Sequence, residues 1–315
     1  MNEAEKYLNE YLDYLEIEKG RSIKTQENYG RYLKIFLGWS KLKSVRDIDA
    51  ELIRNFRLWL ARREIKKNTQ AYYIIALRNF LKYLIKRDLK VLSPDKIELP
   101  KTPSRQIDIP DERDLKSLLG APDTGTLRGL RDKAILETLF STGLRLSELC
   151  ALNRYINLDR GELSVRGKGD KIRVVFFADV AKKAIKNYLD RREDAEEAMF
   201  VSFAAGNPAL NKNNKPHQSN ESNRSNRREK VIGRITSRAV QRMVDGYAKQ
   251  IGVQDRITPH MLRHFFATDL LTNGADLRSV QELLGHANIA TTQVYTHITN
   301  KGLKEVHKAF HGKRR

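Results

Sequence analysis

The chain contains a single cysteine, Cys150, and no long hydrophobic run. One cysteine excludes an intrachain disulfide and any zinc site built from several cysteines. No stretch approaches the roughly 18 apolar residues that a membrane-spanning helix requires, and the polar, acidic start MNEAEKYLNE does not resemble a signal peptide. We therefore expect a cytoplasmic protein that has no membrane partner.

Acidic residues are scarce relative to basic ones. Lys and Arg number 59 against 39 Asp and Glu, so the formal net charge is +20, and both the first hundred residues and the remainder are basic. Hydrophobic residues make up 40% of the chain, too many for a disordered polycation. The length of 315 residues predicts about two domains. Both domains are expected to bind one polyanion, and a nucleoid-associated protein fits this composition.

The first predicted domain is helical throughout. Apolar residues recur at helical spacing in four segments, the first of them around Tyr7, Tyr11 and Leu15, and no strand-like alternation interrupts these segments. Residues 1–92 are therefore predicted to form an all-helical domain. Four of the eight prolines fall within residues 93–110, which predicts an extended linker because proline continues neither a helix nor a central strand.

The second predicted domain, residues 111–315, mixes helices with a hairpin. The runs 162–166 and 172–177 are β-branched and aromatic and flank a loop that contains glycine. Helices are predicted at 111–119, 128–140, just after Gly143, and at 178–193, 236–250, 259–273 and 276–284. Polar residues 206–230 indicate a disordered insertion, and 302–315 a C-terminal tail. The predicted fold class is mainly α with a small β-sheet, a helical domain followed by a mixed α+β domain.

Short stretches of the second domain collect side chains suited to chemistry on a phosphate. Thr258 is a good N-cap and Pro259 a good first helical residue, so His260 and Arg263 are expected on one face at the positive end of a helix. The complete set of candidate catalytic residues is Arg145, Lys168, His260, Arg263, His286 and Tyr295.

These residue types together suit phosphoryl transfer. Two arginines can clamp the non-bridging oxygens of a phosphorus transition state, a lysine on a hairpin can protonate a departing oxygen, and a tyrosine can be the nucleophile. No pair of carboxylates is spaced for two metal ions, so no metal cofactor is expected. Taken singly, each residue has an ordinary alternative: a solvated surface charge, a hairpin tip, a helix cap or a core aromatic.

The order of these motifs resembles that of the tyrosine recombinases, most closely the Xer type. The similarity extends from about Glu5 to Thr299. The strongest segments are STGLRLSELCAL (141–152), VRGKGDKIRVVFF (165–177), TPHMLRHFFATDLL (258–271) and VQELLGHANIATTQVYTH (280–297). The specific feature is the ordered set Arg, Lys, His-x-x-Arg, His and Tyr.

The resemblance implies how DNA would be cut. Tyr295 would attack the scissile phosphate, leaving a 3′-phosphotyrosyl link and a free 5′-hydroxyl. Arg145 and Arg263 would hold the non-bridging oxygens of that phosphate. Because the covalent link stores the energy of the broken bond, neither ATP nor a metal would be required.

The three remaining residues would move or stabilise protons and charge, again as the resemblance implies. Lys168 would protonate the leaving 5′-oxygen. His260 would act as acid and base toward the tyrosine, and His286 would hydrogen-bond the transition state.

The resemblance also implies the architecture and the partners. A helical SAM-like clamp and a tyrosine-recombinase catalytic domain would close around double-stranded DNA with inverted-repeat half-sites. Four protomers, identical or of two kinds, would assemble on two DNA sites through the C-terminal tail, where Leu303, Val306 and Phe310 sit at helical spacing. An accessory activator is possible within this scheme. The role would be resolution of chromosome dimers, linked to chromosome partition, the cell cycle and cell division.

Residues that would contact DNA are predicted from helix starts and from the family pattern. Helix N-termini bind phosphates well, and most such contacts position a duplex without reading its sequence. The predicted set is Lys24, Thr25, Lys67, Thr69, Arg173, Ser237, Arg238, Gln241 and Arg242.

Three alternatives remain open. The insertion 206–230 is longer than the turn of compact Xer-type enzymes, so an integrase of a mobile element with the same chemistry is one of them. A DNA-binding protein that has the fold and does no chemistry is the second. The third is a monomeric enzyme that relaxes supercoils, like a type IB topoisomerase.

Overall fold

The structure is a computed structural model that describes residues 2–100, 111–167, 171–204, 230–253 and 257–285. Three of the candidate catalytic residues, Lys168, His286 and Tyr295, lie outside these ranges. So do residues 302–315 and all of the predicted insertion except Lys230. The chain divides into two compact units, Met1–Arg105 and Gln106–Arg315.

Helices make up the first unit. They are α1 (Glu3–Ile17), α2 (Ile23–Ser40), α3 (Ala50–Arg62) and α4 (Lys67–Lys86). The apolar positions that predicted these helices face one core, in which the largest fully buried side chains include Tyr11, Phe36, Phe56 and Phe80. The prediction of a helical first domain is confirmed.

The start of the predicted linker folds onto this helical core. Pro94–Lys96 form one turn of 3₁₀-helix, and the side chain of Ile97 is buried in the core of the first unit. Proline suits the first position of a helical turn because its fixed φ is preorganised and its missing N–H is not needed there. The prediction of an extended linker from residue 93 onward is therefore wrong for these first residues, and residues 101–110 lie outside the described ranges.

The second unit surrounds one central helix. Its helices are α5 (Glu112–Gly120), α6 (Leu127–Thr142), α7 (Leu146–Ala151), α8 (Asp179–Leu189), α9 (Ser237–Gln250), α10 (Pro259–Thr272) and α11 (Leu277–Leu284). The central helix α6 is buried along most of its length and packs against α8 and α10. Its core is separate from that of the first unit.

Two small antiparallel sheets complete the second unit. Strands β1 (Glu162–Arg166) and β2 (Ile172–Phe176) form the predicted hairpin. The sequence prediction missed β3 (Val201–Phe203) and β4 (Val231–Arg234), which pair across residues 205–229. Strands of three and four residues give too little alternation to detect, and their pairing is not local. The fold class, mainly α with little β, is confirmed.

No helix in the described part of the chain combines the length and the apolar character needed to cross a membrane.

Candidate active site

The turn between α6 and α7 presents Arg145. Helix α6 ends at Gly143, which has φ +58°, and a Cβ added there would lie 2.4 Å from a ring carbon of Phe266. Glycine is therefore required by both the backbone conformation and the close packing. Two residues later Arg145 is the N-cap residue of α7, and its backbone N–H donates to Oε2 of Glu148 at 2.8 Å.

Arg263 reaches the same region from α10. The hydroxyl of Thr258 caps this helix by accepting from the N–H of Met261 at 3.3 Å, and Pro259 is its first residue, as the sequence predicted. Arg263 is buried, and its guanidinium donates to the carbonyl oxygens of Gly143 and Leu284. The arginine thus ties α10 both to the turn before Arg145 and to the end of α11.

The guanidinium groups of Arg145 and Arg263 hold neighbouring backbone carbonyls. Nη2 of Arg145 donates to the carbonyl of Gly285 at 2.8 Å, one residue beyond the carbonyl that Arg263 holds. The Arg145 side chain remains 26% exposed, so it is open to a ligand from one side. Two arginines separated by more than a hundred residues in the chain therefore converge at the end of α11.

The described residues next to Lys168 and His286 lie at this same place. A Cβ added at Gly167 would lie 3.3 Å from Nη1 of Arg145. Gly285, which precedes His286, accepts the hydrogen bond from Arg145. The chain therefore enters both undescribed segments from beside one guanidinium.

His260 lies in the first turn of α10, where the charges of Arg145 and Arg263 affect its pKa. Desolvation of the ring, followed by the positive charges of Arg263 and Arg145, lowers the pKa of His260 below its usual value. An imidazole with a lowered pKa is neutral at neutral pH and can accept a proton.

The other histidine of this helix has a different environment. Burial, followed by the charges of His260 and Arg263, lowers the pKa of His264 to about 4. His264 is therefore neutral at physiological pH, and its side chain is half-buried.

Glu148 is the acidic centre of the site. Its side chain is 6% exposed, and it accepts hydrogen bonds from Arg145 and, through both oxygens, from Arg173 at 2.8–2.9 Å. Burial alone would raise the pKa of this carboxyl, but the hydrogen bonds from Arg173 and Arg145 outweigh burial and lower it to about 2. Glu148 is thus a fixed negative charge between two arginines.

The prediction that Arg173 contacts DNA requires correction. Its side chain is 9% exposed, and its guanidinium donates to both oxygens of Glu148 and to the carbonyl of Leu283. Every nitrogen of this guanidinium donates to an acceptor within the protein, so the structure gives no support for a phosphate contact. The sequence alone does not reveal this arrangement, because the partner Glu148 lies 25 residues earlier in the chain.

The predicted DNA-contacting residues of α9 lie at its exposed surface, except for one. Arg238, Gln241 and Arg242 are exposed, whereas Val240 and Val244 face the core. Ser237 is half-buried, and its hydroxyl lies 3.8 Å from the sulfur of Cys150. The helix therefore presents two guanidinium groups and an amide on one accessible face.

The predicted residues of the first unit lie at two helix starts. Lys24 is exposed and forms an ion pair with Glu27 at 2.8 Å, while the hydroxyl of Thr25 lies 3.0 Å from that of Ser22. Lys67 is exposed and Thr69 half-buried in the first turn of α4.

Sequence reasoning missed Glu148 as a member of the site. A partial signal was present, because a glutamate three residues after an N-cap residue can accept from the backbone N–H of that residue, as Glu148 does from Arg145. Within the ranges that the structure describes, no cluster of three His, Cys, Asp or Glu side chains could hold a metal ion.

Two family models match the chain. The phage integrase family matches residues 110–301, and the phage integrase N-terminal SAM-like domain matches residues 8–88. Curated relatives include tyrosine recombinase XerD of Listeria innocua, 37% identical over 312 residues that cover 96% of this chain and 98% of the relative. Tyrosine recombinase XerC of Thermodesulfovibrio yellowstonii is 34% identical over 316 residues, covering 99% and 98%.

Solved structures share the fold. The XerH recombinase bound to palindromic difH in a post-cleavage complex has a TM-score of 0.68 at 21% identity, covering 91% of this chain and 80% of that one. The Tn1549 transposon integrase in complex with transposon right end DNA has a TM-score of 0.71 at 16% identity, covering 97% and 99%.

This chain belongs to the phage integrase family. Its near-full-length relatives are Xer proteins, so its class is that of the Xer-like site-specific tyrosine recombinases, enzymes that cleave and rejoin DNA. The resemblance found in the sequence is confirmed.

Proposed function

We propose that this recombinase cuts DNA through Tyr295 and that Arg145 and Arg263 hold the scissile phosphate. The observation that carries the proposal is the convergence of both guanidinium groups on the carbonyls of Leu284 and Gly285. Charge-assisted hydrogen bonds from two arginines are among the strongest ways to stabilise charge that develops on phosphate oxygens.

The proposed cleavage step exchanges one phosphate ester for another. The phenolic oxygen of Tyr295 forms a bond to phosphorus, and the bond from phosphorus to the 5′-oxygen breaks. The phenolic proton passes to neutral His260, whose lowered pKa supports this role. Lys168 donates a proton to the departing 5′-oxygen, and His286 hydrogen-bonds a non-bridging oxygen.

Rejoining reverses the same step. A 5′-hydroxyl attacks the phosphotyrosyl link, Lys168 accepts its proton, and the tyrosine leaves with a proton from His260. A hydroxyl from another duplex gives strand exchange, whereas the original hydroxyl restores the starting strand. Because one ester replaces another at each step, the scheme requires no ATP and no metal.

The DNA-contacting surface is proposed to include α9 and two helix starts. Arg238, Gln241 and Arg242 form the exposed face of α9. In the first unit, α1 and α3 are capped by Asn2 and Asp49 and carry acidic residues in their first turns.

Helices α2 and α4 differ from these two. Among the described residues, neither has a side-chain cap or an acidic residue in its first turn. The N–H groups of their first two residues, 23–24 and 67–68, are therefore available to phosphates, whereas those of Thr25 and Thr69 already donate to backbone carbonyls.

The proposed substrate and assembly follow the relatives. The XerH structure contains a palindromic DNA, which supports inverted-repeat half-sites for this chain. Four protomers, identical or of two kinds, are proposed to act on two sites through the tail at 302–315, with a possible accessory activator. The 37% identity to XerD extends over nearly the whole chain. It supports a role in resolving chromosome dimers in the cytoplasm, at the nucleoid.

A second candidate is an integrase of a mobile element with the same chemistry. The observation that favours it is the long connection of residues 205–229 between the paired strands β3 and β4. Sequencing of the DNA that the protein binds separates the two roles, because a single chromosomal inverted repeat is expected for dimer resolution.

The test of the chemistry is a suicide duplex nicked beside the cleavage position. Its half-sites are selected from random sequence by binding to the full-length protein. Wild type is expected to form an SDS-resistant protein–DNA adduct, and Tyr295→Phe to bind the duplex without forming one. An equal adduct from Tyr295→Phe, or none from wild type, contradicts the proposal, and the latter result points to a DNA-binding protein without chemistry. Relaxation of a supercoiled plasmid that lacks the site would point to a topoisomerase.

A further inference from the structure

Three arginines hold three consecutive carbonyls at the end of α11. Arg173 binds the carbonyl of Leu283 at 2.9 Å, Arg263 that of Leu284, and Arg145 that of Gly285 at 2.8 Å. The last carbonyls of a helix lack partners within the helix, so they are natural acceptors for guanidinium groups. Hydrogen bonds from three arginines therefore fix the backbone of residues 283–285, which directly precede His286.

Arg173 differs from the other two because it comes from the hairpin. It is the second of the five residues of β2 and pairs with Val165 of β1, and the loop between these strands contains Lys168. The strand that leads into the loop is close to its guanidinium, because a Cβ added at Gly167 would lie 3.4 Å from Nη1 of Arg173. A displacement of this side chain would thus be transmitted directly to the base of the loop.

Close packing fixes the other end of the contact. Gly285 has φ +62°, and a Cβ added there would lie 2.9 Å from Cδ of Arg173. The aliphatic part of the arginine therefore packs on the cap of α11 while its nitrogen atoms bind Leu283 and Glu148. Arg173, a residue of β2, therefore donates to acceptors on two other elements, α7 and α11.

Glu148 couples this contact to the phosphate-holding arginine. Its Oε1 accepts from Nη1 of Arg145 and from Nη1 of Arg173, both at 2.9 Å. The paired fork of Arg173 on both carboxylate oxygens fixes the plane of the carboxylate, which a single ammonium group cannot do.

We propose that Arg173 is a positioning residue that holds the Lys168 hairpin in register with the end of α11, so that the lysine can protonate the 5′-oxygen. This inference rests on the proposed function. Loss of the fork frees the hairpin relative to Arg145, and the step that suffers is proton donation to the leaving group. Phosphate binding by Arg145 and Arg263 is left largely in place.

The test compares the rates of cleavage of two substrates that differ only in the leaving atom, oxygen or sulfur. Two suicide duplexes carry identical sequences, but in one of them sulfur replaces the bridging 5′-oxygen of the scissile phosphate. A thiolate leaves without a proton, so the sulfur duplex does not require the acid. Since a displacement of about 1 Å can cost 10²-fold, Arg173→Lys and Arg173→Gln are expected to slow cleavage of the oxygen duplex by about 10- to 100-fold. Cleavage of the sulfur duplex is expected to slow no more than about threefold, as for Lys168→Ala, because no acid is needed there.

The ratio of the two rates is the decisive readout. Both substrates are measured on the same preparation, so the fraction of folded protein cancels from the ratio. A loss of stability alone leaves the ratio at its wild-type value, and so does weaker binding to both duplexes.

Arg131 provides a matched control. Its side chain is also 9% exposed, and its guanidinium likewise binds a carboxylate, that of Asp132, and a backbone carbonyl, that of Val201. Arg131→Lys and Arg131→Gln are expected to lower the melting temperature while leaving the ratio of the two rates unchanged.

Failure of this inference can be told apart from failure of the proposed function. If wild type forms no adduct on either duplex, the proposed function fails. If wild type reacts but the Arg173 variants slow both duplexes equally, or slow neither, the positioning role is overturned.

Discussion

The two units of this recombinase place their charged side chains in opposite ways. Among the described residues, every buried charged side chain lies in the second unit: Arg131, Asp132, Glu137, Glu148, Arg192 and Arg263. The buried core of the first unit is aliphatic and aromatic, with Tyr11, Phe36, Phe56 and Phe80 in mutual or neighbouring ring contacts.

The two units therefore place their functional groups differently with respect to the core. In the first unit an apolar core fixes the helices, and the polar groups that could meet DNA lie on the outside. In the second unit guanidinium groups are buried against backbone carbonyls and acids, so the site and the interior share the same residues. Loss of a buried charge at the site of the second unit should therefore affect both stability and chemistry, whereas loss of an exposed charge in either unit should affect binding alone.

The largest expected effect comes from Glu148→Gln. An amide cannot accept all the hydrogen bonds that Arg145 and Arg173 donate, and it leaves their charges without compensation. Breaking a buried ion pair costs about 3–5 kcal/mol, so we expect the second unit to lose roughly that much free energy of unfolding. Since both positioning and charge are disturbed, adduct formation is expected to fall by about 100-fold or more.

The matched control for this change is Glu137→Gln. Glu137 is also a buried acid of the second unit, and it pairs with Lys133 at 2.7 Å on α6. The Glu137→Gln variant should lose stability while keeping its rate of adduct formation per folded molecule. Urea unfolding and hydrogen exchange of the second unit measure the loss of stability. Equal loss of rate in both variants would remove the special position of Glu148.

The pH dependence of cleavage should report His260. Because desolvation and two arginines lower its pKa, His260 stays neutral, and able to accept a proton, to a pH below its usual value of 6.5. Adduct formation is expected to hold steady from neutral pH downward and to fall, by about tenfold per pH unit, only below this lowered pKa.

This profile has a direct control in His260→Gln. That variant should be slow at every pH and should lack the fall on the acidic side. A wild-type profile that falls from above pH 6.5, or an unchanged acidic limb in His260→Gln, would assign the base elsewhere.

Substitution of exposed charges is expected to distinguish the two units less than substitution of buried charges does. Arg238 and Arg242 of α9 have no ion-pair partner within the described residues. Replacing both by glutamine is expected to weaken binding of the selected duplex and to reduce the slope of log K against log salt by about 2. Unfolding should be unchanged within about 0.5 kcal/mol, as for surface substitutions generally.

The corresponding change in the first unit is Lys24→Gln with Lys67→Gln. It is expected to give the same pattern of weaker, less salt-dependent binding with unchanged stability. Titrations at several salt concentrations measure both pairs. An unchanged salt slope in either pair would remove that surface from the proposed DNA contact.

The smallest expected effect is that of Tyr11→Phe. The hydroxyl of Tyr11 is buried and has no hydrogen-bond partner among the described residues, so removing it should change the free energy of unfolding by less than about 1 kcal/mol. The hydroxyl of Tyr247 in the second unit donates to Asp132 at 3.0 Å, and Tyr247→Phe should cost about 1.5–3 kcal/mol because the acceptor is charged. Urea unfolding of the two variants compares the cores directly, and a reversed order would contradict the contrast between them.

Most of the helices were predictable from the sequence because they bury one face at regular spacing; the central helix α6 is buried along most of its length. The hairpin β1–β2 was predictable for a similar reason, since β-branched runs flank a short loop. The strands β3 and β4 were not, because VSF and VIGR are short and lie on either side of a long polar segment. Their pairing depends on tertiary contacts that periodicity does not report.

The site was predictable only in part. Arg145 and Arg263 could be singled out by motif, but their convergence on the carbonyls of residues 284 and 285 requires the folded chain. Arg173 was predicted to contact DNA. Only the position of Glu148, on another element, shows that this guanidinium is directed inward.

The central claim is that Tyr295 becomes esterified to a DNA phosphate held by this arginine cluster. Complete tryptic cleavage isolates residues 279–301, a peptide whose one tyrosine is Tyr295, among 12 tyrosines in the chain. Mass spectrometry of the nuclease-trimmed adduct is predicted to find the nucleotide phosphate on this peptide and to fragment it at Tyr295. A nucleotide on any other tyrosine, or an adduct that Tyr295→Phe still forms, would contradict the account.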